Sequence, residues 1–351
     1  MLGESGIKPV TRFRTDAYNS RIAACIEDLE RTGERSMIYE LLDRLFATMG
    51  PVPRSTFLIT ASTKAGIDSL ERISHGIPAD ARDCLLSHVS DYVSERFALV
   101  GGRMHINAAC ASSTIALGQG ASLIEMGRAD SVLICCFDVV TEFIFSGFCA
   151  LQAMSPVPCM PFDVNRKGMN IGEGAAAMLL MNDHASKREG KTPIGDLLGW
   201  SVTNDAVHVT APAMDGCGLI LAIEKALKRS GLPKEAVSAI CAHGTGTVYN
   251  DLMELVSFKK IFGERSVPVF SVKGAIGHTM GAAGGIEAAL CLKSLAAGMI
   301  PPTVGFSEPE KGAEGLVSSQ PRMLDGEYML STNSGFGGVN AAVIIGKGDI
   351  S

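Results

Sequence analysis

The run INAACASSTIALGQG at 106–120 sets a cysteine, Cys110, between two alanines, just ahead of a row of hydroxyl residues and a helical pattern. A thiol at a helix start meets free N–H groups and the positive end of the helix dipole, which lower its pKa and raise its thiolate fraction. The same N–H groups can hold an oxyanion, and the flanking alanines leave room for a substrate. A cysteine serves equally as a small core residue or as half of a disulfide. Two histidines sit in matching settings. His243, in AHGTGTVYNDLMEL, follows an apolar strand at its C-terminal end, where ligands gather in α/β sheets. His278, in SVKGAIGHTMGAAGG, again lies between a strand and a helix. Either alone reads as well as a capping or core histidine. Lys273 near a strand end needs an anionic partner, and Glu254 or a substrate carboxylate could supply it. Gly335, Gly337 and Gly338 surround Phe336 in TNSGFGGVN, a tight hairpin or a movable gate with backbone N–H groups aimed inward. Neither glycine run has phosphate-loop spacing. The other histidines, His75, His88, His105, His184 and His208, read as surface or core residues.

These residues need elements to position them. Strand patterns fall at 55–61, 103–107, 131–137 and 174–181, and helical ones at 36–49, 66–74, 83–97 and 142–154. A charged linker, DHASKREGKTP, follows. The alternation then repeats, with strands at 195–203, 237–242, 267–272 and 328–345, the last with a glycine-rich break, and helices at 218–230, 251–262 and 284–297. Strands alternating with helices of this length predict crossover units and a mostly parallel sheet. A strand entering a Gly/Ala-rich helix start occurs once in each half, which predicts an internal duplication with halves at 1–190 and 191–351.

The chain has 351 residues, 39 of them glycine, and 46% are hydrophobic. That fits an α/β protein with buried strands and many tight turns. A net charge of −6 argues against nucleic acid as the main partner. The N-terminal residues lack a signal-length apolar core. No apolar run reaches bilayer length, the best candidate being 131–140. A cytoplasmic location is the expectation. The ten cysteines show no C-x-x-C spacing and read as thiols of a reducing compartment.

Six segments in order resemble the chain-elongating β-ketoacyl-acyl carrier protein synthases of the thiolase superfamily. They are NAACASST, PFDVNRKGMNIGEGAA, NDAVHVTAP, AHGTGT, SVKGAIGH and NSGFGGVN. The resemblance covers nearly the whole chain from about Gly3 onward. It implies two thiolase-type halves in an α-β-α-β-α layering, usually dimerised. It implies that Cys110 is the acyl-accepting nucleophile, that His243 and His278 are the paired histidines, and that Lys273 and Glu254 are a supporting charged pair. Thr245 and Thr247 match the threonines that bind the phosphopantetheine arm. Phe336 matches the gating aromatic, whose N–H joins that of Cys110 in the oxyanion hole. The implied reaction is decarboxylative condensation of an acyl thioester with malonyl-acyl carrier protein. It needs no metal or nucleotide cofactor, only substrates carried on phosphopantetheine, and its partners are an acyl carrier protein and a second copy or a related subunit.

Degradative thiolases carry a second catalytic cysteine near the C-terminus, where this chain has NSGFGGVN. Initiating synthases pair one histidine with an asparagine, whereas this chain has two histidines. The alternatives are a non-catalytic partner subunit of a ketosynthase heterodimer and a thiolytic or hydrolytic enzyme. The stretch ITASTKAG and the short segment after it resemble synthases of aryl-polyene or similar pathways. The resemblance also implies an initial strand–helix unit that this chain lacks. A missing central strand, which STFLITA and SVLICCF would flank or neighbour, would leave ladder groups unpaired, and the expectation is a poorly soluble or dimer-dependent chain.

Overall fold

The computed structural model describes residues 3–31 and 33–348. Two sheets carry the architecture. The N-terminal sheet holds β3 (Phe57–Ala61), β4 (Arg103–Ile106), β5 (Ser131–Asp138) and β6 (Gly174–Met181) in the order β4-β3-β5-β6. The C-terminal sheet holds β7 (Gly195–Asn204), β8 (Val237–Cys241), β9 (Val269–Phe270), β12 (Tyr328–Gly335) and β13 (Val339–Lys347) in the order β7-β13-β12-β8-β9. Two short antiparallel pairs flank them: β1 (Lys8–Pro9) with β2 (Ile22–Ala23), and β10 (Met299–Ile300) with β11 (Arg322–Met323).

The layers follow from which strand faces are apolar. Along β5, Val132, Ile134 and Cys136 face the cluster between the sheets, while Leu133, Cys135 and Phe137 face the outer one. Period-two alternation with both sets apolar is what a strand covered on both faces requires. Outside the N-terminal sheet lie α1 (Met37–Phe46), whose Ser36 side chain caps Ile38 N–H, and α3 (Leu86–Arg96). Two shorter helices, α2 (Asp68–Ser74) and α5 (Glu142–Ala150), complete that half. Between the sheets lie α4 (Ser112–Glu125) and α10 (Ala283–Ala297). A Cβ on Gly284 of α10 would fall 1.9 Å from Thr114 Oγ1 of α4, so only glycine allows these helices to cross so closely. Outside the C-terminal sheet lie α7 (Cys217–Ser230) and α8 (Val248–Phe262). The charged stretch read as a linker contains α6 (Asp183–Arg188), capped by Asn182. The one-turn α9 (Lys273–Ile276) follows β9.

Strand for strand, β4-β3-β5-β6 matches β9-β8-β12-β13, including the antiparallel last strand. Among the described residues only β7 has no counterpart, and its counterpart's place is at the sheet edge beside β6. This corrects the expectation of a missing central strand. STFLITA and SVLICCF pair directly, from Phe57↔Val132 to Ala61↔Cys136, so no gap opens between them. Among the described residues the edges of this sheet are β4 and β6, so the place without a strand is an edge and not the centre of the sheet.

The membrane reading is also corrected in detail. Met280–Ala297 is long and apolar enough to cross a bilayer by length and composition, and 61% of it is buried. This stretch ends in α10, which is apolar all round because it packs between two sheets.

Candidate active site

Cys110 lies on the turn between β4 and α4. Ala109 adopts φ 49°, a left-handed conformation that costs a non-glycine residue roughly 1–2 kcal/mol. Ser112 holds the turn by accepting from Ala108 N–H (2.9 Å) and donating to the Ala109 carbonyl (2.6 Å). Strain so supported places the thiol at the head of α4. From the facing half, Gly285 N–H donates to Ser113 Oγ (2.9 Å), and Thr114 Oγ1 donates to Asn333 Oδ1.

His243 follows β8. Its N–H and that of Gly244 both donate to the Glu254 carboxylate at 2.7 Å, so a carboxylate from α8 fixes the loop. His278 follows α9, and its own N–H donates to the Asn170 carbonyl (2.7 Å). The two rings meet edge-on, 5.1 Å between centroids. Cys110 Sγ and a ring nitrogen of each histidine lie within 4.8 Å of one another. All three residues are buried, at the base of a cavity of about 490 Å³ that Thr245, Thr247 and Phe336 also line. Thr245 Oγ1 and Thr247 Oγ1 lie 2.8 Å apart. Phe336 caps the β12–β13 hairpin and packs on Phe148 of α5, 5.8 Å between ring centroids.

Hydrogen bonding assigns the histidine tautomers. His243 Nδ1 faces Lys273 Nζ (3.3 Å) and Asn333 Nδ2 (3.2 Å), and His278 Nδ1 faces Met280 N–H (3.3 Å). These partners donate, so each Nδ1 accepts and each Nε2 carries the proton. Burial, with Lys273 second, pushes both histidines well below their ordinary value, and both are neutral. A cysteine and two histidines are also metal-ligand types, but a metal-bound histidine presents a bare nitrogen to the metal and donates from the other. Here donors already occupy Nδ1 of both rings.

Two expectations are corrected. Lys273 pairs with Glu287 of α10, not with Glu254, and both side chains are 1% exposed. Glu254 instead accepts backbone N–H groups, and burial pushes it up to about 7. The Cys110 thiol is pushed up, to about 12, not down. Burial is the largest cause. Lys273 and the N–H groups of Phe336 and Cys110 itself oppose it without prevailing. The helix dipole was the right kind of effect, but desolvation outweighs it here. The N–H groups of Phe336 and Cys110 both lie beside the sulfur. A Cβ on Gly335 would lie 3.3 Å from Cys110 N, a measure of how closely the hairpin approaches the nucleophile turn.

Sequence reasoning missed Asn333, Glu287 and Asp251. Asn333 also donates to Glu287 (2.7 Å), which ties His243, Lys273 and α10 into one network. Asp251 accepts from Phe162 N–H (2.8 Å) and Thr245 N–H (3.1 Å), so it shapes the loop that carries both threonines. Glu287 was visible as the lone acid of an apolar helix, whereas Asn333 lies in the polar run STNS of β12 and carried no such signal.

A buried Cys–His–His cluster at the junction of two duplicated α/β halves defines a thiolase-like acyl-transfer site. The chain belongs to the β-ketoacyl synthase family: residues 59–185 match its N-terminal domain and residues 194–307 its C-terminal domain. It is 34% identical to 3-oxoacyl-[acyl-carrier-protein] synthase 2 of Synechocystis sp., over 99% of this chain and 92% of that protein. It is 30% identical to the chloroplastic 3-oxoacyl-[acyl-carrier-protein] synthase II of Arabidopsis thaliana, covering 97% of this chain and 70% of that one. The solved ishigamide ketosynthase/chain length factor superposes with a TM-score of 0.87 at 27% identity, covering 98% of this chain and 92% of that one.

Proposed function

We propose that the protein condenses an acyl thioester with malonyl-acyl carrier protein, releasing carbon dioxide and giving a β-ketoacyl-acyl carrier protein for fatty acid or polyketide synthesis. The observation that carries this reading is the meeting of Cys110 with a ring nitrogen of each of two neutral histidines. In the first half-reaction Cys110 Sγ attacks the acyl carbonyl, and the oxyanion is held by the N–H groups of Cys110 and Phe336. The carbon–sulfur bond to phosphopantetheine breaks, and the thiol proton of Cys110 passes to the departing sulfur. In the second, the malonyl carbon–carbon bond breaks, carbon dioxide leaves, and the electron pair moves onto the thioester oxygen as an enolate. The Nε2–H groups of His243 and His278 hold that oxygen. Neutral donors suit a dry pocket better than fixed charges. The enolate carbon then attacks the Cys110 thioester, and the sulfur leaves and regains a proton.

Thr245 and Thr247 serve the phosphopantetheine arm, and Phe336 screens the pocket. The partners are an acyl carrier protein and a second copy or a ketosynthase-like subunit, and the location is the cytoplasm. No metal or nucleotide cofactor enters the scheme. A chain length factor is a known companion of two structural relatives, the ishigamide protein and a ketosynthase from Xenorhabdus doucetiae. The intact Cys–His–His cluster favours the ketosynthase role for this chain over that of a non-catalytic companion. Purified protein given acyl- and malonyl-carrier should release carbon dioxide and form β-ketoacyl-carrier, both lost in Cys110→Ser because a hydroxyl ionises far less readily. Free acid or no product would overturn the reading.

A further inference from the structure

Asp138, the last residue of β5, is fully buried, and among the described residues no ion pair joins it to a basic side chain. Its partners are all neutral donors. Ser62 Oγ donates to Oδ1 (2.8 Å), Thr63 N–H and Thr63 Oγ1 both reach Oδ2 (3.0 Å each), and Gly281 N–H reaches Oδ2 at 2.7 Å. Burying a carboxylate without a cation is expensive, and burial pushes Asp138 up to about 6. A carboxylate retained under that cost needs a use, and its shortest contact points to one.

Gly281 lies three residues after His278, across the boundary between the two halves. Between them Met280 adopts φ 52°, a left-handed conformation for a non-glycine residue, and its N–H is the donor to His278 Nδ1. The bond from Gly281 to Asp138 anchors this strained turn from the far side. A Cβ on Gly281 would fall 2.7 Å from Asp138 Oδ2 and 3.0 Å from Ser62 Cα, so the turn lies flush against the end of β5. By hydrogen bonds Asp138 reaches the nucleophile turn only through a longer route: it holds Thr63, whose carbonyl accepts from Asn107 Nδ2 (2.9 Å). Its charge also acts on Cys110 through space, pushing the thiol up, so neutralising it favours the thiolate.

We propose that Asp138 is a positioning residue for His278: through Gly281 it holds the Met280 N–H against Nδ1 and so keeps the proton on Nε2, where the enolate forms. This rests on the condensing reaction proposed above. The residue acts through the turn and does not touch the reacting atoms.

The test separates the half-reactions in Asp138→Asn, whose amide N–H₂ must face at least one existing donor. Acylation of Cys110 is read by intact mass, decarboxylation by carbon dioxide release from malonyl-carrier. A misplacement of about 1 Å costs on the order of 10²-fold in rate. Decarboxylation should therefore fall by about that factor while acylation falls by no more than about threefold. The ¹⁵N shift of His278 Nδ1 should move away from that of an unprotonated acceptor. Gly281→Ala, which crowds the same contact from the other side, should reproduce both effects and serves if Asp138→Asn does not fold. Equal losses in both half-reactions, or an unchanged His278 shift in a folded variant, would overturn the proposal. If the unaltered protein neither acylates nor decarboxylates, the condensing reading fails instead, and the ¹⁵N shift still tests the role of Asp138.

Discussion

Replacing Lys273 by methionine removes the cation from a pair in which both side chains are 1% exposed. Glu287 keeps one hydrogen bond, from Asn333 Nδ2 at 2.7 Å. Breaking a buried pair from one side typically costs about 3–5 kcal/mol, a large share of a total stability of about 5–15 kcal/mol. The carboxylate has an escape, because it can take up a proton. Starting from an ordinary value of 4.5, that uptake costs about 3.4 kcal/mol at about pH 7 and about 1.4 kcal/mol at about pH 5.5. The penalty is capped by whichever route is cheaper. The folded variant then holds a proton that the unfolded chain has released, so stability falls as pH rises above the ordinary carboxyl value. Urea unfolding, followed by the fluorescence of Trp200, the only tryptophan, should give a loss relative to the unaltered protein that grows by about 2 kcal/mol from about pH 5.5 to about pH 7. Lys273→Met combined with Glu287→Gln should recover most of the loss at about pH 7, since the amide still accepts from Asn333. A loss that is the same at both pH values, or a double variant no better than the single one, would refute the reasoning.

Incubation with an acyl-carrier donor should place the acyl group on Cys110 ahead of the other nine cysteines, and peptide mass mapping that finds it mainly on Cys135, Cys149 or Cys241 would reject the assignment. His243→Ala and His278→Ala should each leave Cys110 acylation measurable while condensation falls by about 10²–10⁴-fold; loss of acylation as complete as in Cys110→Ser would show that the histidines activate the thiol. Phe336→Ala should preserve the fold but change the order in which the two donors react, because the ring on Phe148 is removed while its backbone N–H stays; unaltered kinetics with both donors would dismiss the gate.

Some of this protein is written in local pattern. SVLICCF alternates two apolar sets, so it had to be a strand covered on both faces, and β5 is one. Cys110 and His243 each stand where a strand yields to a helix, and His278 follows the one-turn helix after β9; these segments converge because the strands that carry them end on the same side of their sheets. The order of the motifs was enough to name the family. Other features depend on which distant groups come to lie within a few ångströms. Glu254 and Glu287 are both plausible anions for Lys273 from their sequence spacing, and only the packing of α10 between the sheets selects Glu287. The place without a strand depended on strand order, which does not follow chain order: β3 pairs with both β4 and β5, so β6 stands at an edge. The direction of the Cys110 shift was likewise settled by assembly. A helix start acts on its neighbours along the chain, whereas desolvation is imposed by everything folded around the sulfur, and that is the larger effect.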